Sequence, residues 1–98
     1  MNRIVLGSAI LLLTVADVLA QAVFLDNRSK SRIELLIDGT PKCTALVQTH
    51  DGTKNAGWCQ VSVPEGVHKL TARWPNGQTK DYPNVTVPKG KIVTLTIN

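Results

Sequence analysis

Few residues of this chain can exchange a proton near neutrality or hold a metal: His50, His68, Cys43 and Cys59, beside carboxylates that include Asp26, Glu34, Asp38, Asp51 and Asp81. His50 and Asp51 are adjacent, in a stretch that also holds Thr49, Thr53 and Lys54, and they come nearest to an acid–base pair. Neighbouring residues in a Gly-containing stretch form a solvated turn more readily than a general base, and no Ser or Cys nucleophile motif accompanies them. Asp26, Glu34, Asp38 and Asp81 could pair as the two carboxylates of a glycosidase. That chemistry needs a cleft with a set carboxyl separation, for which a chain this short leaves little room. Two cysteines do not make a zinc site, and neither His50 nor His68 has the spacing to complete one. No catalytic residue, metal ligand or cofactor is expected, and the chemistry left to the chain is recognition.

The aromatic side chains are the main resource for that. Trp74 shares a strand face with Leu70 and Ala72 and is expected in the core. Trp58 lies beside Cys59, on the face opposite Cys59, Val61 and Val63, which places it at the surface at the foot of the stretch 49–57. Exposed Trp and Tyr form stacking surfaces for sugar rings or anchors for a protein partner. The candidate binding residues are therefore His50, Asp51, Lys54, Trp58, Arg73 and Tyr82. The formal net charge of +4 admits anionic partners, but the Lys and Arg residues are scattered, with no run that marks a nucleic-acid or polyanion patch. No specific nucleic-acid partner is expected.

What must position these residues begins after residue 20. Met1-Asn2-Arg3, the apolar stretch from Ile4 to Val15 and the closing Val18-Leu19-Ala20 read as a signal peptide cleaved after Ala20. Asp17 cuts the apolar run short of the roughly 20 residues a membrane span needs, so no transmembrane anchor is expected, and no Cys near the cleavage point marks a lipoprotein. Losing Arg3 and Asp17 leaves ten Lys or Arg against six Asp or Glu. The remainder, 21–98, is one small domain that buries a modest core and needs a staple. In an oxidising secreted or periplasmic setting Cys43 and Cys59 supply it as a disulfide, and closing a loop of that length contributes about 3 kcal/mol.

Gly, Pro, Asn and Asp punctuate the domain every eight to twelve residues, between β-branched runs that alternate, which is an all-β pattern. Strands are expected at 22–25, at 33–37 with Ile33, Leu35 and Ile37 inward, at 43–48, from Trp58 to Val63, at 67–74, in two fragments around Pro83, and at the end with Val93, Leu95 and Ile97 inward. Asp38-Gly39, Pro64-Glu65-Gly66, Pro75-Asn76-Gly77 and Pro88-Lys89-Gly90 are turns. Pro83 assigns its segment to an edge or a bulge. Nothing after residue 20 reads as a helix. The expected fold is a small antiparallel β-sandwich of about seven short strands, consecutive strands mostly pairing, with the disulfide tying neighbouring strands across the base of loop 49–57. Asn27-Arg28-Ser29 and Asn84-Val85-Thr86 fit the N-glycosylation pattern, which has meaning only in a eukaryotic secretory pathway.

The segments Ile33 to Gly39, Pro64-Glu65-Gly66-Val67-His68 and Val85-Thr86-Val87-Pro88-Lys89-Gly90, with the closing strand, resemble the PEGA domain over about residues 31–98. There a strand ends in an Asp-Gly turn, a Pro-x-Gly turn opens a strand beginning with His, and a glycine turn precedes the last strand. The cysteine pair and the loop at 49–57 depart from that pattern. The resemblance implies a non-catalytic structural or interaction module. The expected function is a secreted or periplasmic binding module, an inhibitor or immunity-like protein that presents loop 49–57 to a protein partner. The alternatives are an envelope component that binds surface polysaccharide and, least favoured, a small secreted enzyme.

Overall fold

The computed structural model describes residues 21–48 and 57–98; the expected leader and all of the expected loop except Gly57 lie outside the described residues. Seven strands follow one another with no helix among the described residues: β1 (Ala22–Asn27), β2 (Ile33–Ile37), β3 (Thr40–Ala45), β4 (Trp58–Ser62), β5 (Gly66–Arg73), β6 (Thr79–Val87) and β7 (Ile92–Ile97). They form a three-stranded sheet of order β4-β1-β7 and a four-stranded sheet of order β3-β2-β5-β6. The expected all-β architecture of seven strands with one disulfide is the one observed.

Alternation decides which side chains enter the core. Val23 and Leu25 of β1, Ile33, Leu35 and Ile37 of β2, Leu70 and Ala72 of β5, and Ile97 of β7 pack between the sheets with Ala45, Val63 and Val87. Fully burying a Leu, Ile or Val side chain contributes about 1.5–3 kcal/mol. Leu36 breaks the alternation yet is also buried; it points the other way, opposite Pro41 and Thr71 in the register.

Pairing departs from expectation. Only β2–β3 and β5–β6 are hairpins of consecutive strands. The others switch sheets, and β1 lies between β4, antiparallel to it, and β7, parallel to it. Strand alternation encodes a face and not a neighbour, so the order of strands was open. The third strand starts at Thr40 because Asp38 and Gly39, at φ 51° and 84°, form a two-residue hairpin turn that returns the chain at once to the ladder. The two fragments expected around Pro83 are one strand. β6 is the edge of its sheet, and its register shifts opposite His68 to Leu70, where Asn84 takes φ 61°; the bulge absorbs the proline, which lacks a ladder donor.

The disulfide is the largest correction. Cys43 and Cys59 are bonded, with Cα atoms 6.2 Å apart, but they stand on β3 and β4, edge strands of different sheets. The bond staples sheet to sheet, not strand to ladder neighbour.

Candidate binding site

β1, β4 and β7 turn alternate residues outward: Ala22, Phe24 and Asp26; Trp58, Gln60 and Ser62; Ile92, Thr94 and Thr96. Trp58 stands opposite Asp26 in the register and stacks on Phe24, ring centroids 5.6 Å apart and planes 24° from parallel. Such a pair contributes about 0.5–1.5 kcal/mol beyond its buried area. Trp58 is nonetheless 52% exposed. The residue next to it, Cys59, is half-buried and bonded to the other sheet, so the indole projects from backbone held covalently.

The residues that bracket 49–56 are pinned to the same end of β1. Gln48 Nε2 donates to Asp26 Oδ1 at 3.2 Å, and the Asn27 N–H donates to the Gly57 carbonyl at 2.7 Å. Gly57 is buried, and a Cβ there would collide with the Gln48 side chain as it is placed, so a larger residue would require Gln48 to move. Arg28 Nε donates to the second Asp26 oxygen at 2.9 Å. Leu46, entering the segment, and Trp58, leaving it, are two of the four large apolar side chains exposed among the described residues. Beside them a cleft of about 520 Å³ is lined by Arg28, Ser29, Lys30, Val47 and Gln48.

Asn27 holds this end together. Its side chain is fully buried. Nδ2 donates to the carbonyls of Ser31, Ala45 and Leu46 at 2.8, 3.2 and 3.2 Å, and Oδ1 accepts from the Ser29 N–H and Oγ–H at 3.0 and 2.7 Å. One amide thus joins β1 to the 28–31 turn and to the chain leaving β3 of the other sheet. With Nδ2 enclosed by three acceptors, Asn27 offers no glycan attachment point in the folded domain, whereas Asn84 is exposed on β6.

Of the six expected binding residues, His50, Asp51 and Lys54 lie outside the described residues. Trp58 stands as described, and the other two lie on the second sheet. Arg73 donates through Nε to Glu34 Oε1 at 2.7 Å and forms an ion pair with it through Nη2. Tyr82 packs half-buried against the core, with Lys80 Nζ 5.4 Å from its ring centroid. Trp74 also packs against the core, as its position beside Leu70 and Ala72 predicts.

The sequence reading missed one polar constellation. His68 is nearly enclosed, its side chain 12% exposed. Nδ1 lies 2.7 Å from Asp38 Oδ2 and Nε2 lies 2.8 Å from the Pro64 carbonyl. Both partners only accept, so the arrangement is satisfied in full by the imidazolium. The Asp38 carboxylate, then the Pro64 carbonyl, raise the His68 pKa above 6.5; the His68 hydrogen bond, then the Lys69 N–H at 2.9 Å, hold Asp38 below its usual 3.8. With both ring nitrogens engaged His68 has no lone pair to offer as a base, and it works as a clasp between the Asp38-Gly39 turn and the turn at Pro64. Only half of the signal was present in the sequence, His68 standing two residues before inward Leu70; the pairing of Leu70 with Ile37, next to Asp38, belongs to the fold.

No protein-family model matches the chain, and no curated protein matches its sequence significantly. Among the described residues no helix is long and apolar enough to cross a membrane.

Proposed function

We propose that this chain is a small secreted or periplasmic, non-catalytic binding module that captures another protein, in the manner of an inhibitor or immunity protein, through segment 49–57 and the Trp58 surface beside it. The observation that carries this reading is Trp58: half-exposed, braced by Phe24, and adjacent to a cysteine bonded to the opposite sheet. A braced aromatic with a free surface loses little entropy on binding, and such residues dominate the energetics of protein interfaces. The fixed ends of the segment at Gln48 and Gly57 act the same way, shortening the list of conformations a partner must select. Export supplies the oxidising setting in which a disulfide persists, and the PEGA-like turns agree with an interaction module. Two basic side chains are engaged within the domain, Arg28 with Asp26 and Arg73 with Glu34, and the other Lys and Arg residues are scattered along the sequence without a run, which favours a protein partner over an acidic polymer.

The test is affinity capture with the oxidised protein from its own secreted or periplasmic fraction. One protein retained in stoichiometric amount at high salt, and lost with Trp58→Ala, is the expected result. Retention that disappears with salt and ignores Trp58 would move the assignment to polymer binding, because exposed charge contacts are screened.

A further inference from the structure

The four sheet edges are not alike. β3 carries Pro41 and Lys42, both exposed, and a register shift. β6 carries Pro83, a bulge, and exposed Lys80 and Asp81. β4 is bonded through Cys59 to β3. Prolines, bulges and charges are the means by which proteins keep an edge from pairing. β4 also lacks them, but it is tied through Cys59 to the other sheet; β7 has neither these devices nor such a tie. Its sequence, Ile92-Val93-Thr94-Leu95-Thr96-Ile97, is uncharged and β-branched but for one Leu, and it pairs with β1 on one side and with no other described strand. Short uncharged segments of this composition pair with one another when left open.

The direction of its backbone groups follows from two bonds. The Ala22 N–H donates to the Lys91 carbonyl at 3.1 Å and the Arg28 N–H to the Ile97 carbonyl at 2.7 Å. In a parallel ladder alternate residues face the neighbour, so Lys91, Val93, Leu95 and Ile97 direct their backbone groups to β1. Those of Ile92, Thr94 and Thr96 face away, and all three residues are exposed.

We propose that two copies of this chain join along β7, antiparallel about Thr94. Thr94 then faces its own counterpart and Ile92 faces Thr96. These are the residues whose backbone groups meet no other described strand, and in this register each of those groups finds a partner. Val93 falls opposite Leu95 on the inner face, so apolar meets apolar, and no charged residue opposes another along β7. Lys91 meets Ile97, and the Lys89 and Lys91 pairs of the two copies lie at opposite ends of the joined strands, which limits the repulsion between two chains of net charge +4. The two triple-stranded sheets become one of six, ordered β4-β1-β7-β7-β1-β4. Trp58 stands on the edge strand farthest from the junction, so the dimer displays two Trp58 surfaces separated by about 24 Å across the strands, at about 4.8 Å per strand, and can bind bivalently. Dimer formation does not depend on the proposed protein partner and is tested without it.

Sedimentation equilibrium of the oxidised protein over a concentration series reads the self-association directly. A concentration-dependent dimer is expected. Thr94→Pro removes a donor that faces away from β1, and Thr94→Lys opposes two cations at the two-fold axis; each weakens dimerisation about tenfold or more, equivalent to about 1.4 kcal/mol, while the far-ultraviolet circular dichroism stays that of the native chain. Thr94→Lys decides the matter where the proline disturbs folding. A native protein that stays monomeric to high micromolar concentration, or a Thr94→Lys variant that dimerises as the native chain does, overturns the proposal.

Discussion

The outer faces of the two sheets are built on opposite principles. On the four-stranded sheet, polar groups are consumed by one another: Glu34 with Arg73, Thr71 Oγ with Asp81 Oδ1 at 2.8 Å, and Asp38 with His68 at one end. On the three-stranded sheet the outward residues, besides the buried Ala22, are Phe24, Trp58, Gln60, Ser62, Ile92, Thr94 and Thr96, with the Asp26–Arg28 pair alone in charge at one end. A surface whose charges are already matched offers a partner little. A surface of uncharged, half-exposed aromatic and β-branched side chains keeps its capacity to bury area. Under the proposed function, recognition falls to the three-stranded face and solvation to the other, a division the net charge of the chain gives no hint of.

Breaking the link between the sheets is expected to have the largest effect. Replacing Cys43 and Cys59 by Ala lowers the free energy of unfolding by about 3 kcal/mol, read from urea denaturation of the oxidised protein and the variant. Asn27→Ala follows, at about 2 kcal/mol, because it strands buried carbonyls at the junction of β1 with the other sheet; the same measurement, with hydrogen exchange at Ser29, checks it. Trp58→Ala separates the faces functionally: affinity for the captured partner falls by about 2 kcal/mol, and stability moves by about 1 kcal/mol or less, since the side chain is half-exposed. Arg73→Ala is the counterpart on the matched face. It costs at most about 1 kcal/mol of stability, as exposed ion pairs do, and leaves capture unchanged.

The His68 clasp gives the smallest effect and one with a fixed sign. The folded pKa of His68 lies above its unfolded value near 6.5, so its stabilisation is complete below that pH and is lost as pH rises through the folded value. The folded pKa of Asp38 lies below its unfolded value, so its contribution is present above about 3.8 and fades as pH falls. The clasp is whole in the mildly acidic window between. Urea midpoints that decline from pH 6 to 9 in the native protein, with a shallower decline in His68→Gln, are the expected result.

What the sequence disclosed was whatever depends on neighbours along the chain. Ile33-Leu35-Ile37 and Val93-Leu95-Ile97 announce their faces by alternation, Asp38-Gly39 announces its turn, and Trp58 is exposed because it is out of phase with Val61 and Val63. What stayed hidden depends on meetings across the fold. Asn27 looks like part of a polar turn, and only the approach of Ser31, Ala45 and Leu46 carbonyls makes it a buried amide. Cys43 and Cys59 could be paired from composition and compartment, but that they join two sheets follows from a strand order that no local pattern encodes. Arg73 and Tyr82 carry side chains suited to binding, and tertiary partners claim both.

Hydrogen–deuterium exchange on the captured complex tests the central claim most directly. Slowed exchange at residues 57–62 and 22–27, with 66–73 and 79–87 unchanged, is what a partner seated on the Trp58 face produces. Protection confined to 66–73 and 79–87 would place the partner on the other sheet and contradict the account.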